Sequence, residues 1–374
     1  MPANYTLFGL ETSMYSGKLR SYLRFKGIPY VEKAPSLFTF LVTTKRRAGN
    51  PAMPILVDPK GVWLSDTSDI IDELEVRFPA DGVVPVTPRQ KFAAYLFELW
   101  GDEFWISTAL HTRWNHSENY PVWEREAGAM LPGLPVWLRR AIVGKVARPM
   151  FRKYLPPMGV RPESVEAIDR WTISQLDALD RHFSNYPFLF GSRPSLGDFG
   201  LFVVPYGHLF LDPWSKTNLI DPHPHVAAWL ARMCDPSKHK GEYLPGDHLP
   251  DTLDPLLRGM LADMMPYLVA TLAELRRAMP EYAGADRLPR MLGEVEQPMG
   301  HGSNRNIRRL ALPYTLWMVQ RLLDVYRHMS DEEAADLRSW LVSIGGSGLL
   351  DLDIPRLRRV GLQVAVDDHI AQSA

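Results

Sequence analysis

A proline at the mouth of a short apolar strand, followed closely by an acidic and hydroxylated helix start, narrows the folds open to this chain more than any other feature. Met53-Pro54-Ile55-Leu56-Val57-Asp58 reads as a strand whose entrance lacks a backbone N–H, so the ladder has a free edge there. Pro59-Lys60-Gly61 supplies the turn into a second strand at 62–64. Ser65-Asp66-Thr67-Ser68-Asp69 then opens a helix over 67–77, because Ile70, Ile71, Leu74 and Phe78 recur at helical spacing. A helix start presents unpaired N–H groups and the positive end of a dipole. Strand mouth and helix start together make a pocket suited to a peptide-like backbone and its carboxylate.

The segments upstream and downstream extend the pattern. Tyr5-Thr6-Leu7-Phe8 reads as a first strand, and Ser13-Met14-Tyr15-Ser16-Gly17-Lys18-Leu19-Arg20 as a turn entering a helix over 15–26. Lys26-Gly27-Ile28-Pro29-Tyr30-Val31-Glu32 reads as the helix exit and a strand at 29–32. Far downstream stand Phe188-Leu189-Phe190-Gly191 and Pro194-Ser195-Leu196-Gly197-Asp198-Phe199-Gly200-Leu201, where Ser195 and Asp198 are spaced as a capping pair.

In this order the three segments resemble the glutathione S-transferase superfamily over residues 4–234. The resemblance implies an α/β thioredoxin-like domain at 1–80 and an all-α domain at 88–234. Beyond it, Leu256, Leu257, Met260, Leu261, Met264 and Leu268 recur at helical spacing, and a further, mainly helical extension at 250–370 is expected to pack on the second domain. The resemblance implies that the bond before Pro54 is cis. It also equates Asp66-Thr67 with the family's acidic-hydroxyl pair, more often Glu-Ser. Met14 stands where proline is usual, and Asp69 where a small apolar residue is usual; Asp69 reads as a further cap.

Composition sets the outer limits. A chain of 374 residues has material for two or three domains, and its formal net charge of −1 gives no global field for nucleic acid. The one cysteine, Cys234, reads as a buried small apolar residue, and it allows no intrachain disulfide. No charged region followed by an apolar run opens the chain, and no stretch reaches the roughly 20 apolar residues of a membrane span. A soluble, cytoplasmic protein is expected. From Pro88 onward the pattern is helical: 88–113, 163–184, 196–211, 224–234, 253–278, 313–329 and 330–344, with Gly293, Gly300, Gly302 and Asn304 marking a loop. Segment 136–153 is a basic amphipathic helix, a pattern found on anionic membrane surfaces, in lids over pockets, in arms that pack on a neighbouring segment such as the extension, and most often on solvated helix faces.

The resemblance places glutathione as co-substrate and gives the site residues their expected roles. Aligning Lys18-Leu19-Arg20 with the family's basic-apolar-Arg triplet makes Ser13 the catalytic hydroxyl, with Ser16 one turn away as a substitute and Tyr15 as an aromatic that also carries a donor. A free thiol titrates at about 8.5, and a hydroxyl donor together with a helix N-terminus lowers that value. Read from the residues alone, Ser13 or Ser16 caps the helix, and so do Asp66 and Thr67. With the resemblance, Asp66 and Thr67 take the γ-glutamyl end, the backbone of Ile55 beside Pro54 pairs with the cysteinyl backbone, and Lys45 or Arg46 meets the glycyl carboxylate. Trp105, His111 and Trp114 are expected either to line the pocket for an apolar electrophile or to pack in the core. No cysteine precedes position 234, which disfavours mixed-disulfide chemistry, and no metal-ligand spacing occurs.

The activity this implies is conjugation of glutathione thiolate to an apolar electrophile by a homodimer. A non-catalytic binding or assembly module acting through the extension is one alternative, and glutathione-dependent ether cleavage on aromatic compounds is another.

Overall fold

The computed structural model describes residues 4–300 and 306–367. Gly302 and Asn304 of the expected loop, and the end of the extension at 368–370, lie outside the described residues. The first domain runs β1 (Tyr5–Phe8), α1 (Met14–Lys26), β2 (Tyr30–Lys33), β3 (Ile55–Val57), β4 (Trp63–Ser65) and α2 (Thr67–Arg77). Its mixed sheet has the order β2-β1-β3-β4, with β1 and β2 parallel and the other two pairs antiparallel. Alternation in β1 turns Tyr5 and Leu7 inward, where they join Leu19, Leu23, Leu56, Ile70 and Leu74. This is the thioredoxin-like domain.

Local chemistry sets its turns. Gly27 ends α1 in the left-handed region (φ 65°), where glycine meets no Cβ penalty, and its N–H returns to Leu23 and Arg24 carbonyls. Asp58 Oδ1 accepts from the Lys60 and Val62 amides at 2.9 Å each and so folds the β3–β4 hairpin. The Met53–Pro54 bond is cis.

The mostly helical remainder begins with α3 (Pro88–Glu103) and α4 (Ile106–Asn115). The periodicity predicts one helix over 88–113, but Trp105 leaves helical geometry (φ −90°, ψ 0°). The break lets Phe104 meet Tyr267 edge-on at 5.6 Å and seats Trp105 between Trp100 and Trp171, at 5.3 and 5.0 Å. Such aromatic pairs add about 0.5–1.5 kcal/mol each beyond their buried area. After α5 (Tyr120–Gly128) and a helical stretch spanning 136–152 come α6 (Val165–Phe183), a short helix Leu196–Leu201 and α7 (Pro224–Cys234). The expected helix 196–211 closes at Leu201 and continues as a wide turn over Pro205–Phe210. Ser195 and Asp198 form the capping box read from the sequence. Gly101 and Gly200 allow α3 and the Leu196–Leu201 helix to touch backbone to backbone: a Cβ on Gly101 would stand 2.4 Å from the Gly200 carbonyl oxygen. Cys234 is half-buried, and burial pushes its thiol up to about 11.

The extension contains α8 (Asp254–Ala278), α9 (Pro313–Arg327) and α10 (Asp331–Ser343), with the Ser330–Glu333 capping box in place. It also contains two antiparallel pairs: β5 (Glu294–Pro298) with β6 (Asn306–Leu310), and β7 (Leu357–Val360) with β8 (Gln363–Val366). The first replaces part of the loop expected from Gly293 onward. Short two-stranded ribbons carry too little periodicity to be read in sequence. By length and composition α8 is apolar enough to cross a bilayer, contrary to the expectation that no segment is. Its apolar face is nonetheless interior, with Leu257, Leu261, Met264, Leu268 and Leu275 fully buried, so it packs as a core helix. In the extension, α9 packs on α3 of the helical domain. The extension also reaches the first domain, because residues 314, 321 and 359 all bond to the α2 segment.

Candidate functional site

The site forms where β1 ends, α1 and α2 begin, and the Pro54 loop enters the sheet. Ser13 is the N-cap of α1 in extended geometry, and its Oγ accepts from the Ser16 amide at 3.4 Å and from the Ser16 hydroxyl at 2.9 Å. Ser16 is buried beneath Gly9, where a Cβ would come within 2.7 Å of its Oγ, so the serine pair sits against the end of β1. The α1 entrance is fixed to the helical domain by two contacts. Arg113 Nη1 donates to the Thr12 carbonyl at 3.0 Å, and the Tyr15 hydroxyl donates to the Asp102 carbonyl at 2.9 Å. Tyr15 is thus a packed aromatic whose phenol is held well above its ordinary range by burial and then by Glu103.

Asp66 caps α2. Its Oδ1 accepts from the Ser68 and Asp69 amides at 3.0 and 3.4 Å, and its backbone is left-handed (φ 77°), a conformation non-glycine residues adopt at an energetic cost. Its second oxygen accepts from the hydroxyl of Tyr314 in α9 at 2.6 Å. Thr67 is buried, and its hydroxyl has no hydrogen-bond partner among the described residues. Asp69 is not an extra cap. Its carboxylate pairs with Arg359 of β7 at 2.5 Å, and Arg359 also donates to the Ser65 carbonyl at 3.1 Å. Burial raises the Asp69 carboxyl above its usual range, against the pull of Arg359.

One turn further along α2, Asp72 accepts from Arg321 in α9, with both carboxylate oxygens 2.8 Å from Nη2. The other terminal nitrogen of Arg321 meets Glu98, which also accepts from Lys18 at 2.9 Å and from the Ser68 hydroxyl at 2.8 Å. Two cations therefore hold Glu98 down to about 2 although it is fully buried. Its neighbour Asp102 shares Lys18 at 2.6 Å yet is driven upward by burial. Glu103 accepts from the Thr315 hydroxyl at 2.7 Å, and burial pushes it up to about 7.

The remaining expected residues lie elsewhere. Ile55 is fully buried and paired with Phe8 on one side and Ser65 on the other, so its main chain belongs to the sheet. The residue outside that ladder beside the cis bond is Met53, which precedes the proline. Lys45 and Arg46 are exposed on the short helix Thr44–Ala48. Trp105 is fully buried among tryptophans. His111 bonds Asp169 and Asn115 at 2.8 Å each, and Trp114 packs on Trp123 and Phe151 at 4.8 and 5.6 Å. All three belong to the interior of the helical domain, which corrects the pocket reading. Among the described residues no group of three His, Cys, Asp or Glu is placed to hold a metal.

Sequence reasoning missed Tyr314, Thr315, Arg321 and Arg359. A signal for their partners is present: acids at 66, 69 and 72 share one face of α2, and such a stripe calls for cations and donors.

Two family models match the chain: the N-terminal domain of glutathione S-transferase over residues 7–82 and the C-terminal domain over residues 173–232. No curated protein matches it. Among solved structures, a glutathione S-transferase from Methylobacterium radiotolerans in complex with glutathione sulfonate is 18% identical, covering 66% of this chain and 100% of that one, with a TM-score of 0.39. A beta-etherase from Sphingobium sp. strain SYK-6 is 16% identical, covering 64% and 100%, with a TM-score of 0.45. A tau-class glutathione S-transferase from mango, Mangifera indica, is 18% identical, covering 65% and 94%, with a TM-score of 0.39. Likeness at this level says nothing about activity, and the assignment rests on the two family models and their order. Residues 7–82 and 173–232 are the N- and C-terminal domains of glutathione S-transferase in the family's order, and a long C-terminal extension folds onto the helix that begins at the acidic-hydroxyl pair of the first.

Proposed function

We propose that this protein is a glutathione-dependent transferase that joins glutathione thiolate to an apolar electrophile. The observation that supports this most is the state of Ser13. Its oxygen accepts twice from Ser16 and donates to no described residue, so its hydrogen is free for a ligand sulfur at the positive end of α1. A thiol of ordinary pKa near 8.5 would be held there as thiolate, and the bound electrophile would meet it in a fixed geometry. Thr67 offers an unclaimed hydroxyl for a carboxylate at the start of α2. The proposal includes the homodimer that the resemblance implied and the cytoplasmic location expected from composition.

A second reading has its own observation. Tyr314 and Arg359 already occupy Asp66 and Asp69, as expected of a fold member that uses the extension for assembly and does not turn glutathione over. Calorimetric titration with glutathione separates the two. The transferase reading expects binding that weakens sharply in Thr67→Ala, and turnover of a model electrophile that falls about a hundredfold in Ser13→Ala, the scale of losing one charge-stabilising donor. Absence of binding to the unaltered protein sinks it and favours the assembly module.

A further inference from the structure

Two stretches of this chain are free of acid, 33–57 and 127–162, and the fold brings them together: the Leu37 amide donates to the Met130 carbonyl at 2.8 Å. Both expose large apolar side chains. Of eighteen such exposed residues in the described protein, ten fall within 37–42 and 136–154, among them Phe38 (68% exposed) and Trp137 (70%). Concentration of this kind marks an interaction surface, whereas scattered exposed residues need no explanation. In sequence, 136–153 reads as a single amphipathic helix. The structure shows one continuous helical stretch, α-helical over Val136–Ile142 and Arg148–Arg152 and widened to a π-helical turn over Val143–Ala147. Val136, Trp137, Val146, Met150 and Phe151 remain outward along it.

The unpaired charge on these two segments is of one sign. Arg139 and Arg152 are turned to carbonyls, of Leu134 and Trp114, and Arg148 pairs with Glu124. Arg47, Arg140, Lys145 and Lys153 are exposed and have no carboxylate partner among the described residues. A protein partner's apolar surface would not call for a rim of unpaired cations; an anionic bilayer supplies both an apolar interior and a negative surface. We propose that this face docks on an anionic lipid membrane, with Phe38 and Trp137 entering the acyl boundary and the basic rim lying against headgroups. Docking of this kind does not depend on glutathione chemistry.

Co-sedimentation of the full chain with vesicles tests it. Binding is expected to mixed phosphatidylcholine–phosphatidylglycerol vesicles and not to phosphatidylcholine alone, with partial release by salt. Phe38→Ser/Trp137→Ser should weaken partitioning at least about tenfold, as should Arg140→Glu/Lys145→Glu, with unfolding midpoints unchanged. Val342→Ser, an exposed apolar residue on α10, should leave it unaltered. Failure to bind the mixed vesicles, or equal binding to neutral ones, overturns the proposal. So does a stable dimer dissolved by the Phe38/Trp137 variant, since a second copy would then cover this face.

Discussion

The starts of α1 and α2 are built alike and treated differently. Each has a short polar N-cap accepting from first-turn amides: Ser13 from Ser16, and Asp66 from Ser68 and Asp69. At α1 the cap keeps its own hydrogen available. At α2 the cap's second oxygen is taken by Tyr314, and the next two acids on the same face are taken by Arg359 and Arg321. A capping motif therefore fixes where a helix begins but not whether its end stays open to a ligand. That depends on what chain remains to be packed, and here the extension has found the acidic stripe.

The contrast can be broken most forcefully at Arg321. Replacing it with Met removes one of two cations from the fully buried Glu98 and the partner of Asp72, and should destabilise the protein by about 3–5 kcal/mol in urea unfolding. A loss under about 1 kcal/mol would mean that the extension does not hold α2. Glu103 comes next. Its folded pKa of about 7 lies above the ordinary 4.5, so the folded state binds the proton more tightly than the unfolded chain. Stability is then full below the ordinary value and falls as pH rises through this window, levelling off above it, by on the order of 3 kcal/mol. Glu103→Gln should flatten that dependence between these two values and be the more stable protein at alkaline pH.

Tyr314→Phe sharpens the comparison locally. It leaves the second oxygen of Asp66 without its donor, an effect of about 1–3 kcal/mol. Amide exchange should quicken over 67–72 and stay unchanged over 14–20. The smallest effect on stability is expected for Ser13→Ala, about 1 kcal/mol for a lost N-cap, because nothing outside α1 depends on that oxygen. A larger loss would show that the α1 start is also a tertiary contact.

Much of this is legible in the sequence. Pro54, the Asp66 cap and the Ser195–Asp198 box carry their geometry in residue type and spacing, since a missing N–H or a short side chain beside free amides acts within a few residues. The misplaced residues share a different property. Trp105, His111 and Trp114 have the composition of a pocket and of a core alike, and only their neighbours distinguish the two; here the neighbours are Trp171, Asp169 and Phe151. Ile55 stands next to the proline yet does not offer open main chain, because strand pairing consumes its hydrogen bonds.

What the residues settled among themselves was the order of short strands and helices and the helix starts, and with them a resemblance to the glutathione S-transferase superfamily. The helix starts and the β3–β4 hairpin among these rest on contacts made within a few residues. Whether the start of α2 is open or covered was settled by Tyr314, Arg321 and Arg359, which lie some 250 to 290 positions away from their partners in the chain. The physical reason is that a buried carboxylate must find a cation or donor, and sequence shows the need without naming which distant side chain meets it.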